Sequence, residues 1–158
     1  MTEVVDHTES DVRGAAEPRI SYVIARLERA VRAGINERVR PYGLTTLQYT
    51  TLSLLGARGQ PLSNAQLARR AYMTPQSMLA VIDALEQKGL IRRDPHPNHR
   101  RVYPATLTAK GRRVRGACDA AVTSMEEDML AELDPGERAA LLASLKACVR
   151  SLHAGFPD

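Results

Sequence analysis

The 158-residue chain has no tryptophan, a single phenylalanine and only 4% aromatic residues. A β-sandwich or barrel draws heavily on aromatic and β-branched side chains, so this shortage argues for helices packed through Leu, Val, Ile, Ala and Met. No stretch approaches the roughly 20 apolar residues that cross a bilayer, and the start of the chain lacks a basic segment followed by an apolar run, which points to the cytoplasm and away from membranes. A glycine-rich phosphate loop, a nucleophile elbow and a clustered His-Asp-Ser or metal set are also missing, so neither catalysis nor a cofactor is expected. The two cysteines, Cys118 and Cys148, fall in helical patterns without the paired spacing of a zinc site or a redox centre. They are expected to be buried free thiols.

What the chain does have is cationic charge in one place. The net charge is +4 and the pI about 9.4. From 88 to 115, however, Lys88, Arg92, Arg93, Arg100, Arg101, Lys110, Arg112, Arg113 and Arg115 face a single acid, Asp94. A cluster of this kind is either a solvated face or a nucleic-acid footprint. Residues 1–17 run the other way, with Glu3, Asp6, Glu9, Asp11 and Glu17 against Arg13. Their few large apolar residues predict a disordered acidic leader. Residues 18–158 have the length of a single domain.

Apolar residues at Ile20, Val23, Ile24, Leu27, Val31 and Ile35 make one face of a helix over about 18–40, ended by Pro41 and Gly43. Thr45 with Gln48 forms a capping-box pattern for a second helix to about Ala57, after which Gly56 and Gly59 break the chain. Ser63 with Gln66 repeats the pattern and opens a short helix through about Ala71. Thr74 and Pro75 start another, amphipathic through Met78, Val81, Ile82 and Leu85, which Gly89 stops after Lys88. Two short helices across so tight a turn predict a helix-turn-helix. Residues 90–93 and 102–107 flank a turn-rich loop and predict two strands, the second short or at an edge because Pro104 cannot donate to a ladder. Thr108 then caps a helix to about Glu132. Asp134, Pro135 and Glu137 open the last helix, whose stripe is Leu141, Leu142, Leu145, Val149 and Leu152.

This order resembles the MarR family of winged helix-turn-helix regulators. LSNAQLARRAYMTPQSMLAVIDALEQKGLIRR is similar to that family's helix-turn-helix, RRVYPATLTAKGRRV to its second wing strand and dimerisation helix, and DPGERAALLASLKACV to its final helix. The resemblance spans about 18–152. It implies a mainly α fold with a small β-wing, in which a winged lobe at about 44–107 sits between dimerisation helices at about 18–40 and 108–153. It further implies a homodimer on palindromic double-stranded DNA, with repression relieved by a small aromatic or anionic effector. The competing reading is a winged-helix architectural or protein-interaction module that binds DNA weakly and without sequence choice.

A recognition helix sets its first turns against base edges while its other face stays in the core. Thr74, Pro75, Gln76, Ser77 and Leu79 begin the helix on the side away from its apolar stripe. Gln76 suits adenine, Leu79 a thymine methyl, and Thr74 either a base or simply the cap. Many relatives carry an arginine where this chain has Ala80. Arg100 and Arg101 are placed by the resemblance at the wing, for minor-groove contact, with His99 where relatives usually have an aspartate. His96 and His99 are expected to be ordinary loop histidines without a metal. Ser63, Asn64, Arg69, Arg70, Arg92, Arg93 and Lys110 are candidates for phosphate contacts. Tyr22, Arg26 and Tyr49 are candidates for the lining of an effector cavity.

Overall fold

The computed structural model describes residues 17–154; the acidic leader expected at 1–17 falls on 1–16, outside them, apart from Glu17. Helix α1 spans Ile20–Val39 and passes through a single 3-10 turn, Arg40–Tyr42, into α2, Thr46–Arg58. Helices α3 (Asn64–Arg70) and α4 (Pro75–Gln87) follow, then strands β1 (Ile91–Arg93) and β2 (Ala105–Leu107), and helices α5 (Ala109–Met129) and α6 (Pro135–Ser151). Thr45 with Gln48, Ser63 with Gln66 and Asp134 with Glu137 each form a complete capping box. Each box satisfies amide hydrogens that would otherwise be free at a helix start.

Three expected boundaries move. Helix α5 ends at Met129 rather than near Glu132. Gly56 lies inside α2, and only Gly59, in the left-handed region at φ 62, ends it. The reason Gly56 is tolerated there is steric: a Cβ at this position would stand 1.4 Å from Nη1 of Arg115. The second strand starts after Pro104 and covers only Ala105–Leu107. It pairs antiparallel with β1 in the register Ile91 to Leu107, Arg92 to Thr106 and Arg93 to Ala105. On its other side Ala105 exchanges backbone hydrogen bonds of 3.1 and 2.8 Å with Leu62, which locks the hairpin to the stretch before α3.

One core serves the middle of the chain. Val39, Leu44, Leu52, Leu55, Leu62, Leu67, Met78, Ile82, Leu85, Leu90, Ile91, Cys118 and Val122 are buried together. Gly111 lets α5 approach the hairpin, since a Cβ there would lie 1.9 Å from the Leu90 carbonyl oxygen. The ends of the chain contrast with this. Ile20, Val23, Ile24 and Leu27 on α1 and Leu141, Leu142 and Leu152 around α6 are exposed, and α6 buries no residue. Cys118 is buried as expected, and burial pushes its thiol pKa up. Cys148 is exposed instead, because it sits on α6, a helix that buries none of its residues against the rest of the described chain. No helix among the described residues is long and apolar enough to cross a membrane.

Candidate nucleic-acid interface

The turn between α3 and α4 is held by its backbone. The Met73 amide donates to Ala68 O at 2.8 Å, reaching back over Tyr72, which sits at φ 54. That left-handed position normally takes glycine. The Tyr72 hydroxyl donates to the Ala154 carbonyl at 2.6 Å, tying the end of α6 to the turn.

Thr74 caps α4. Its Oγ1 accepts from the Ser77 amide at 3.1 Å and donates to Ser77 Oγ at 2.9 Å, so its hydroxyl is committed on both sides. Met78, Ile82 and Leu85 are buried, and the opposite side of the first turns, with Pro75, Gln76, Ser77, Leu79 and Ala80, is exposed. The helix therefore presents a polar and methyl-bearing face with its other side anchored, as major-groove reading requires.

The hairpin tip is a compact turn. The His99 amide donates to His96 O at 3.3 Å and the His96 amide to Val102 O at 2.9 Å. The two imidazoles pack at a tilt of 40° with centroids 4.8 Å apart, and His96 Nδ1 accepts from the Asn98 amide. Arg100 and Arg101 follow directly; both are exposed, and neither makes an ion pair among the described residues. No group of three or more metal-ligating side chains occurs among the described residues.

Several residues expected at phosphates also have partners within the chain. Arg93 is the clearest case. Its Nη1 lies 2.9 Å from Asp83 and its Nε 3.0 Å from Glu86, with Nη2 also on Glu86, so it braces β1 against α4. The hydrogen bond from Arg93 holds the Glu86 carboxyl below its ordinary pKa, and the same bond raises Arg93. Asn64 donates through Nδ2 to Pro75 O at 2.9 Å, which fastens the start of α3 to α4, and its Oδ1 is buried. Ser63 spends its hydroxyl on the Gln66 amide. Lys110 donates to Lys88 O at 2.9 Å, just past the end of α4. Arg92 pairs with Asp94 at 3.0 Å. Arg69 is exposed and Arg70 half-buried.

The expected effector residues do not share one cavity. Arg26 lies over the Tyr22 ring, 6.0 Å from its centroid, beside a hollow of about 360 Å³ on α1. Tyr49 donates to Asp119 at 2.8 Å, joining α2 to α5. Burial and this bond raise its pKa to about 12. A larger hollow of about 690 Å³ runs between α1 and α2, lined by Glu28, Arg29, Arg32, Ile35, Thr46 and Thr50, and Thr46 Oγ1 is buried without a partner among the described residues. The ion pairs that sequence reasoning missed differ in legibility. Arg115–Asp119 and Glu28–Arg32 have a local signal, their four-residue spacing on one helix, whereas Asp83 and Glu86 with Arg93 have none.

A helix-turn-helix followed by a β-hairpin, set between long terminal helices, defines a winged helix-turn-helix protein. The family model described as MarR family matches residues 44–103. Over 119 residues the chain is 34% identical to HTH-type transcriptional repressor Rv2887 of Mycobacterium tuberculosis, covering 75% of this chain and 85% of that one. It is also similar to the transcriptional regulator BldR of Sulfolobus solfataricus, with TM-score 0.73 and 27% identity over 83% of this chain and 92% of that one. The fold of CouR from Rhodococcus jostii RHA1, solved bound to p-coumaroyl-CoA, matches with TM-score 0.74 at 20% identity, over 85% of this chain and 95% of that one. The chain belongs to the MarR family of transcription regulators.

Proposed function

We propose that this regulator acts in the cytoplasm as a homodimer that reads an inverted repeat and represses transcription until a small molecule releases it. The observation that carries the reading is the face of α4: Gln76, Ser77 and Leu79 exposed, with Met78, Ile82 and Leu85 buried behind them. Gln76 and Ser77 address base edges, Leu79 a thymine methyl, and Arg100 and Arg101 the adjacent minor groove, where narrow A·T tracts concentrate negative potential. Arg69 and Arg70 meet the phosphate backbone. The open stripes on α1 and α6 support the dimer, since a second copy would cover them and bring two lobes to one duplex.

The effector reading rests on the hollow between α1 and α2, which combines apolar walls with Arg29, with Arg32 paired to Glu28, and with a Thr46 hydroxyl that has no partner among the described residues. These groups suit an aromatic acid. A ligand that prefers one spacing of the lobes shifts the population toward it, and DNA affinity falls if that spacing misfits the half-sites. The relative named as a repressor and the CouR structure with its bound thioester support this reading.

Selection of bound sequences from a random duplex library tests the proposal. The expected product is an inverted repeat with half-sites about 10 base pairs apart centre to centre. Arg100→Ala should weaken binding most on A·T-rich flanks. Salt-dependent binding with no enriched sequence would instead support an architectural role.

A further inference from the structure

Behind the wing lies a further polar hollow, of about 240 Å³, where the end of α2, the hairpin and the first turns of α5 meet. Arg92, Arg112 and Arg115 line it together with Thr106. Arg92 and Thr106 are opposite one another across the strands, so their side chains leave the hairpin on one face. Arg112 and Arg115, three apart on α5, share a helix face. Three guanidinium groups around one hollow repel unless they are answered by negative charge.

Two carboxylates answer part of it: Asp94 lies 3.0 Å from Arg92 and Asp119 lies 3.0 Å from Arg115. Arg112 makes no ion pair among the described residues and donates through Nη1 to Leu107 O at 3.0 Å. The hollow therefore keeps a positive balance. Thr106 lines the hollow, and its Oγ1 is buried with no hydrogen-bond partner among the described residues. A buried hydroxyl left unpaired is unfavourable, and an anion would accept from it. Gly56 adds a third sign. Glycine is unfavourable inside a helix, and here it clears the space in which the Arg115 guanidinium lies against α2.

We propose that this hollow binds a small oxyanion, the phosphate or carboxylate head group of a metabolite, through Arg92, Arg112, Arg115 and the Thr106 hydroxyl. The occupant bridges the hairpin to α5 and so holds the wing against the dimerisation helix. The site is separate from the hollow between α1 and α2.

Calorimetric titration of the full chain, without DNA and at fixed ionic strength, tests it with inorganic phosphate in one arm and acetate in the other. Saturable binding of at least one anion is expected, and the stronger arm identifies the head group. Thr106→Val, which keeps the side-chain shape, and Arg92→Gln, at a side chain 70% exposed, should each weaken that binding at least about tenfold. No saturable binding in either arm, or unchanged affinity in both variants, overturns the site. Because no DNA is present, either result leaves the regulator reading to its own test.

Discussion

Helices α1 and α4 carry apolar stripes of the same three-and-four spacing, yet the two stripes have different fates. On α4, Met78, Ile82 and Leu85 are buried in the chain's own core. On α1, Ile20 is 77% exposed and Val23 47%, and around α6 Leu142 and Leu152 are exposed as well. Periodicity states that a helix has a face to cover. It does not state which molecule covers it. The winged lobe buries the α4 stripe in its own core, while the outer parts of α1 and α6 are left uncovered by the described residues, and the proposed dimer is the arrangement that would cover them.

The contrast is sharpest in a pair of truncations. Leu52→Ala, at a fully buried site, should cost about 2–5 kcal/mol in urea unfolding. Leu142→Ala should leave subunit stability within about 0.5 kcal/mol while weakening association. Equal losses for the two would erase the distinction between lobe and arms.

Next in size is Gly111→Ala. In an ordinary helix interior alanine gains about 1 kcal/mol over glycine, but the new methyl meets the Leu90 carbonyl at 1.9 Å. A loss of about 1–3 kcal/mol is expected, read by the same unfolding assay. Stabilisation instead would mean that α5 is not seated on the hairpin.

Tyr49 joins α2 to α5 and gives the lobe a pH signature. Its phenol is raised from 10.0 to about 12 by burial and the bond to Asp119, so the stabilisation it provides is complete below pH 10 and disappears as pH rises through about 12. The stability difference between wild type and Tyr49→Phe should narrow over that interval. At the acid end the sign reverses for Glu86. Its lowered pKa makes the Arg93 brace contribute above its ordinary value of 4.5, with loss as pH falls further.

The smallest effect belongs to the tie between the regions. Tyr72→Phe removes the hydroxyl that holds Ala154, at a cost of about 1 kcal/mol or less. Hydrogen exchange should quicken at the end of α6 and leave the α4 amides unchanged.

Features written in neighbouring residues were legible in the sequence. The capping boxes at Thr45, Ser63 and Asp134, the tight turn before Thr74 and the wing hairpin all depend on chemistry within a few positions. What needed the third dimension was not. Arg93 looks like any basic residue beside a DNA-binding motif until Asp83 and Glu86 come round the helix to meet it. Gly56 looks like a helix end until Arg115 fills its notch. Tyr49 looks like a cavity residue until Asp119, 70 residues away, accepts a hydrogen bond from its hydroxyl. Within the candidate interface, the exposed face of α4 followed from its stripe, whereas the commitment of Asn64 to Pro75 required the packing of α3 on α4.

Sedimentation of Leu27→Glu/Leu142→Glu beside the wild type, each mixed with the selected duplex, puts the division between lobe and arms to its most direct trial. Wild type should bind as two protomers per duplex. The double variant should keep its fold but become monomeric, occupy a single half-site and lose at least about 100-fold in affinity. A folded, monomeric variant that binds the inverted repeat as tightly as wild type would contradict the account.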